Sequence, residues 1–188
     1  MNILQPVWIA LLVAVPIVAT GQPTVDVVKI GNGITQVDFA GEGTPDLIVS
    51  GHRENYNAHS FDVVSFYVPL QGNASKAKEW NIVPIKAKEN EKWQVTVSGG
   101  ADCMLHDFRL LAGHGKGAAT LILADRGLGK SFASTAKVTF TYYSLVRNPD
   151  GLPGFPPYAF EQSRIAMAKA VYCDVREAFK RELGLGAR

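Results

Sequence analysis

Short apolar runs separated by turn residues follow one another from about residue 25 to residue 147. In the last run Val138, Phe140 and Tyr142 alternate with Thr139 and Thr141. This period of two is typical of a strand with one buried face. Nine strands are predicted in this way: Val25–Ile30, Ile34–Phe39, Asp46–Ser50, Phe61–Val68, Trp80–Ile85, Lys92–Val97, Met104–Leu111, Ala118–Ala124 and Lys137–Val146. So many short strands indicate antiparallel sheets, arranged as a β-sandwich-like domain or as one curved sheet.

The pattern changes after the last predicted strand. Residues 148–157 contain four prolines and two glycines, which predicts a turn or linker, because proline disrupts both strands and helices. Between Phe160 and Leu183 apolar residues recur at three- and four-residue steps. This spacing predicts an amphipathic helix at about 160–183 that packs on the sheet. The fold class is therefore mainly β, with one C-terminal helix.

The N-terminal segment has the pattern of a secretory signal peptide. Residues 7–19 form an apolar run interrupted only by Pro16, and the small residue Gly21 follows where a signal peptidase would cut. We therefore expect a signal peptide at 1–21 and a single β-rich domain at 22–188, in the periplasm or secreted. The alternative is an uncleaved membrane anchor, although a bilayer span usually needs about 20 apolar residues. After cleavage no membrane span is expected.

The amino-acid composition argues against a nucleic acid as the binding partner. The chain has 188 residues, with 19 Lys and Arg against 17 Asp and Glu, and a formal net charge of only +2. This charge is too small to indicate nucleic acid as a partner. Hydrophobic residues make up 47% of the chain, enough to bury a core. Nothing in the composition indicates a cofactor, and we expect none.

Two cysteines, Cys103 and Cys173, belong to the predicted domain. An exported chain folds in an oxidising environment, where such a pair tends to form a disulfide. We therefore expect a Cys103–Cys173 bond that ties the C-terminal segment to the middle of the chain. The alternative is two buried free thiols.

Two short segments resemble catalytic motifs but lack the structural context that those motifs need. Gly127-Leu128-Gly129-Lys130-Ser131 resembles the end of a phosphate-binding loop, yet a strand rather than a helix is predicted after it. Ser134 and Lys137 have the spacing of a serine hydrolase motif that requires a helix, whereas a strand would place them on opposite faces. The sequence therefore contains no recognisable hydrolase constellation, and no catalytic residue is assigned.

An acidic turn follows the second predicted strand. Asp38, Glu42, Gly43 and Asp46 resemble positions 1, 5, 6 and 9 of the calcium loops in integrin-type FG-GAP repeats, but Ala40 occupies position 3. Calcium prefers six to eight oxygen ligands, so the missing one weakens the site. Asp38, Glu42 and Asp46 are the candidate metal ligands, and we expect the turn to be unoccupied.

The densest polar stretch, residues 53–62, lies between two predicted strands. Loops on a rigid β-scaffold often form binding surfaces. The alternative is that its Asn and His side chains only satisfy local backbone groups. The candidate binding residues are Arg53, Asn55, Asn57, His59 and Asp62.

Several segments together resemble the carbapenem self-resistance (CarG-type) proteins. They are Gly43-x-x-Asp46-Leu47-Ile48, residues 53–62, Phe66-Tyr67, Tyr172-Cys173-Asp174-Val175 and Ala178-Phe179. The resemblance covers most of the predicted domain. It implies a periplasmic, β-rich protein that protects a bacterium from carbapenems together with a companion resistance protein, by a route other than recognised hydrolysis.

The resulting hypothesis is a non-catalytic protein that gives tolerance to carbapenems by binding the drug, by shielding its target or by acting with a companion protein. A β-lactam is thus the expected ligand. Two alternatives remain open. One is a generic exported binding or adhesion module built on the FG-GAP-like turn. The other is an enzyme whose site assembles from remote residues, for instance His59 with Asp62 and a serine.

Overall fold

The computed structural model describes residues 26–70, 79–113 and 117–188, so the predicted signal peptide at 1–21 lies outside the described residues. Eleven strands and one helix form within these ranges. Their bounds are β1 Gly33–Val37, β2 Asp46–Arg53, β3 Phe61–Pro69, β4 Trp80–Ile82, β5 Ile85–Ala87, β6 Asn90–Lys92, β7 Val95–Gly99, β8 Met104–Leu111, β9 Thr120–Arg126, β10 Ala136–Arg147, β11 Tyr158–Tyr172 and α1 Val175–Leu183.

The described strands form one sheet in the order β1-β2-β3-β7-β8-β9-β10-β11-β5-β6, and β4 pairs with β3. The pairing of β5 with β11 is parallel, while β10 with β11 and β2 with β3 are antiparallel. Phe66 on β3 and Phe160 on β11 are five strands apart in this order, yet their ring centroids lie 5.2 Å apart. The sheet is therefore strongly curved, and the predicted mainly β fold with one C-terminal helix is confirmed.

The segment that carries β4 and β5 bridges strands β3 and β11, which the curvature of the sheet brings close together. Its first half pairs with β3, and the backbone N–H of Val83 donates to the carbonyl oxygen of Phe66 at 2.8 Å. Its second half pairs with β11, and the Phe160 N–H donates to the Pro84 oxygen at 2.8 Å. Backbone groups on both sides of the core are satisfied by this one segment.

Two apolar cores lie on opposite sides of the curved sheet. The larger core fills the inside of the curve and includes Phe39, Ile48, Phe66, Phe108, Leu121 and Phe160. The smaller core lies between strands β9 to β11 and α1, and includes Ile122, Phe140, Ala168, Tyr172 and Phe179. Strands β9 and β10 contribute residues to both cores, so each of these two strands is apolar on both faces.

The predicted helix at 160–183 is wrong in its first half. Tyr158–Tyr172 is strand β11, and the helix begins only at Val175. The pairing of β11 with β10 has register irregularities between Lys137 and Thr139 and between Tyr142 and Tyr143. The first irregularity leaves two extra residues in β11 and the second leaves one, so buried and exposed residues do not alternate regularly along this strand. The resulting spacing imitates the period of a helix.

The actual helix is defined by its caps and anchored by a disulfide. The Asp174 carboxylate accepts the Arg176 backbone N–H at 2.7 Å, and Gly184 ends the helix with a φ of 68°. The predicted bond between Cys103 and Cys173 is present, with Cα atoms 5.5 Å apart and 70 residues between them in sequence. It joins the start of β8 to the start of α1.

Two other predicted segments take different forms. Val25–Ile30 is not a strand where it is described, since only Val27 forms a bridge, with Leu111 of β8. Residues 148–157 form an ordered connection between β10 and β11, in which the Asn148 N–H donates to the Pro157 oxygen at 2.8 Å. Within the described ranges, α1 is the one α-helix and has nine residues. No helix in these ranges is long and apolar enough to cross a membrane.

Candidate functional site

The predicted polar loop connects β2 to β3 and is held by its own side chains. The Asn55 amide donates to the His59 carbonyl oxygen at 2.9 Å, and the His59 N–H donates to Asn57 Oδ1 at 2.8 Å. The Ser60 hydroxyl donates to Glu54 Oε1 at 2.7 Å. Asn55 and Asn57 therefore supply turn chemistry, which is the local alternative that the sequence left open.

The remaining predicted binding residues point to different neighbours. Arg53 lies over the Phe61 ring, with 5.5 Å from Cζ to the centroid. The His59 ring packs on Phe132, with centroids 4.8 Å apart. Asp62 instead forms ion pairs, at 2.8 Å with His52 and at 2.9 Å with Arg188. The side chains of these three residues thus have different neighbours, and no described hydrogen bond joins His59 to Asp62.

The pairing of His52 has an electrostatic consequence. The hydrogen bond to Asp62 raises the pKa of His52 above its usual value, because the neighbouring carboxylate favours the charged imidazolium. The Asp62 carboxylate also contacts Arg188, which in turn contacts the buried Asp107 at 3.1 Å. Asp62 therefore belongs to an ion-pair network that connects β3 to the C-terminal segment.

The acidic turn is built around backbone N–H groups. The Asp38 carboxylate accepts the N–H groups of Gly41, Glu42 and Gly43 at 2.7–3.0 Å. The Asp46 carboxylate accepts those of Phe39 and Ala40 at 2.9 and 2.8 Å. These bonds give both carboxylates a role in shaping the turn.

Glu42 contacts residues outside the turn. The Tyr158 hydroxyl donates to its carboxylate, and Arg147 Nη1 lies 3.4 Å from Glu42 Oε1. Asp38, Glu42 and Asp46 do not form a ligand set, and no group of three His, Cys, Asp or Glu side chains within the described ranges could hold a metal ion.

Asp46 is buried, with 1% of its surface exposed. Burial raises its pKa from 3.8 to about 6, opposed by the two N–H donors and assisted by the nearby charges of Asp38 and Glu42. Burial also raises the pKa of the Tyr158 phenol, and its hydrogen bond to Glu42 adds to the effect. The acidic turn is therefore sensitive to pH.

Two adjoining clefts are lined by residues outside the acidic turn. The Arg126 cleft has a volume of about 540 Å³ and the Trp93 cleft about 800 Å³, sizes typical of small-molecule sites. The Arg126 cleft is lined by His59, Ser98, Gly99, Leu105, His106, Arg126, Gly127, Leu128 and Phe132. The lining of the Trp93 cleft includes Trp93, Gln94, Thr96, Ser98, His106, Asp125 and Tyr143. Ser98 and His106 belong to both clefts.

His106 and Asp125 form the strongest polar contact at the boundary between the clefts. His106 Nδ1 lies 2.7 Å from Asp125 Oδ1, and both side chains are about half exposed. Ser98 stands opposite His106 in the pairing of β7 with β8. No hydrogen bond joins the Ser98 hydroxyl to His106 among the described contacts.

Sequence reasoning did not identify either cleft. His106 and Asp125 are 19 residues apart, and they become neighbours only because β8 pairs with β9. Trp93 and Phe132, both exposed aromatic residues, belong to connections rather than to strands. An aromatic residue in a predicted turn, such as Trp93 or Phe132, was the available sequence signal for a binding surface. It does not show which distant residues lie beside it in the fold.

The first rejected motif is confirmed as a turn, whereas Ser134 of the second lies in the same connection rather than in the expected strand. Gly127–Ser131 belongs to the connection between β9 and β10, where the Ser131 and Ser134 hydroxyl oxygens lie 2.9 Å apart. Lys137 on β10 donates to the Ala168 carbonyl oxygen at 3.1 Å. It is therefore a structural residue that contacts β11.

Comparison with known proteins gives two matches. A family model described as "Carbapenem resistance protein CarG-like" matches residues 30–181. The fold is similar to a structure described as "Crystal structure of CarG", with a TM-score of 0.68 and 22% sequence identity over 87% of this chain and 99% of that chain. No curated protein matches the chain. The matched range contains all eleven strands, the disulfide and both clefts.

Proposed function

Because the chain belongs to the family of CarG-like carbapenem resistance proteins, we propose that it protects a bacterium from carbapenems without hydrolysing them. The family match over residues 30–181 is the observation that carries this proposal. The protein acts in the periplasm or outside the cell. The apolar run at 7–19 and the Cys103–Cys173 disulfide support export, since disulfides persist in oxidising compartments.

Binding of the drug is the mechanism that the geometry favours among those considered. The Arg126 and Trp93 clefts are open, adjoining and of a size that suits a small molecule. Their linings combine exposed aromatic side chains with His106, Asp125 and Ser98, which can donate and accept hydrogen bonds. Shielding of a cell-wall target and cooperation with a companion resistance protein are the competing mechanisms.

Two features support a non-catalytic role. The His106–Asp125 pair lacks a bonded hydroxyl or thiol nucleophile within the described ranges, and both cysteines are used in the disulfide. The adhesion-module alternative has no comparable support, because the acidic turn contains no group of carboxylates within the described ranges that could hold a metal ion.

The experiment is a measurement of carbapenem tolerance in a susceptible Gram-negative host. The host expresses the full chain, a matched variant that lacks residues 2–21, or the empty vector, each with and without a candidate companion protein. We expect the full chain to raise the inhibitory concentration of carbapenems and the truncated variant to have no effect. Tolerance only in the presence of the companion would favour cooperation over drug binding. Unchanged tolerance under every condition, with export confirmed by fractionation, would contradict the proposal.

A further inference from the structure

Arg126, the last residue of β9, is a buried cation with no carboxylate partner among the residues that the structure describes. It is 1% exposed, and its Nη groups donate to the carbonyl oxygens of Ser134 and Phe132, the latter at 2.6 Å. Its Nε–H has no hydrogen-bond partner within the described residues. The other fully buried arginine, Arg109, pairs with Asp107 at 2.8 Å.

An unpaired buried charge is costly, because the protein interior replaces water poorly as a solvent for ions. Burial accordingly lowers the pKa of Arg126 below its ordinary value, although an arginine remains charged at neutral pH. The carbonyl oxygens of the β9–β10 connection compensate only part of this charge. An anion placed nearby would compensate the rest.

The Arg126 cleft suits such an anion. Its lining contains Arg126, His59 and His106 but no Asp or Glu within the described residues. The apolar part of the lining includes Leu128 and Phe132, whose side chains are 49% and 41% exposed to solvent. Arg126 therefore places a positive charge at this cleft, and Leu128 and Phe132 offer an apolar surface.

We propose that the Arg126 cleft binds a small organic anion, a carboxylate attached to an apolar ring. The guanidinium of Arg126 balances the charge of the carboxylate, and Leu128 and Phe132 contact the ring. An interaction between opposite charges is stronger in a partly desolvated cleft than at an open surface, which makes the carboxylate the determinant of specificity. Carbapenems carry a carboxylate on their fused ring, and their assignment to this cleft rests on the proposed function.

The test compares acids with neutral analogues of the same shape. Purified protein is titrated with benzoate, with benzamide, with a carbapenem and with the methyl ester of that carbapenem. Binding is followed by amide shifts in the NMR spectrum, with Gly127, Leu128 and Phe132 as reporters. We expect each acid to bind at least tenfold more tightly than its neutral analogue, and added salt to weaken only the acids. Equal binding of acid and neutral analogue, or shifts confined to other residues, would overturn the proposal.

Two substitutions localise the effect. Arg126→Gln removes the charge, while Arg181→Gln removes an exposed arginine on α1 and is the matched control. We expect Arg126→Gln to abolish the preference for acids and Arg181→Gln to preserve it. If Arg126→Gln does not fold, Leu128→Ala replaces it, and we expect weaker binding of both the acids and the neutral analogues. An unchanged preference in folded Arg126→Gln would overturn the proposal.

The outcomes separate this site from the proposed function. Selective binding of benzoate without binding of the carbapenem supports the anion site and contradicts the assignment of the drug to it. Carbapenem tolerance in the host without acid-selective binding overturns the anion site and leaves the proposed function in place.

Discussion

His106 Nδ1 lies 2.7 Å from Asp125 Oδ1 across the pairing of β8 with β9, at the boundary shared by the two clefts. A carboxylate that accepts the Nδ1 proton fixes the imidazole orientation, as in many catalytic and binding histidines. The other ring nitrogen has no hydrogen-bond partner within the described ranges. Substitution of His106 is therefore the clearest way to distinguish a cleft that only binds a β-lactam from one that hydrolyses it.

We predict that His106→Ala leaves β-lactam turnover unchanged, because the account assigns no catalytic step to the His106–Asp125 pair. The measurement follows a chromogenic cephalosporin and a carbapenem spectrophotometrically over several hours. Wild type and variant should both match the buffer rate. Turnover by the wild type that disappears in His106→Ala would revive the enzyme alternative.

Phe179→Ala should strongly destabilise the fold. Phe179 is fully buried between α1 and β10, with its ring centroid 5.5 Å from that of Phe140 and 4.4 Å from Arg109 Cζ. Truncation of a buried phenylalanine costs about 3–5 kcal/mol of the unfolding free energy, as measured in urea. Ile165→Ala, at a site 59% exposed on β11, is the control and should change stability by less than about 1 kcal/mol. A near-neutral Phe179→Ala would show that α1 does not dock on the sheet as described.

Cys103→Ser should lower the melting temperature under oxidising conditions. The Cys103–Cys173 bond closes a loop of 70 residues, for which the chain-entropy model gives about 4 kcal/mol. Reductant should lower the melting temperature of the wild type by a similar amount and leave that of the variant unchanged. If the wild type melts at the same temperature with and without reductant, the disulfide does not contribute to stability.

The buried Asp46 should make stability depend on pH. Its pKa is about 6 in the folded protein against an ordinary value of 3.8, so the folded state binds the proton more tightly than the unfolded state. The stabilisation from this proton is fully present below pH 3.8 and is lost as the pH rises through 6. We expect a loss on the order of 2–3 kcal/mol of unfolding free energy from this group.

Asp46→Asn isolates that contribution, because asparagine keeps an acceptor oxygen but does not titrate. Urea unfolding at several pH values between 4 and 7 compares the two proteins. The wild type should lose about 2–3 kcal/mol more than the variant over this range. Parallel stability curves would mean that Asp46 titrates normally in the folded protein.

Much of the fold could be predicted from local patterns. Strand β8 matches its predicted bounds, Met104–Leu111, and the alternation of Val138, Phe140 and Tyr142 correctly identified a buried face of β10. The family resemblance, inferred from short segments, is confirmed by the family model over residues 30–181. These features depend on neighbours in sequence, where periodicity and turn chemistry carry information.

Features that depend on distant neighbours could not be predicted. Strand β11 was interpreted as helix because register irregularities opposite Tyr142 and Lys137 disturb its alternation, and such irregularities are set by the partner strand. The Arg126 cleft assembles from the β2–β3 loop, β7, β8, the end of β9 and the β9–β10 connection. The predicted polar loop contributes only His59 to it, and Asn55 and Asn57 shape the turn that holds His59.

Tolerance without hydrolysis is tested most directly by the amount of intact carbapenem recovered from a growing culture. Cells that express the full chain are grown at a concentration that inhibits the vector control, and the drug in the culture is quantified by mass spectrometry. We expect sustained growth while the intact drug, free and protein-bound, declines no faster than in medium with heat-killed cells. Growth accompanied by rapid loss of the drug and accumulation of its ring-opened product would contradict it.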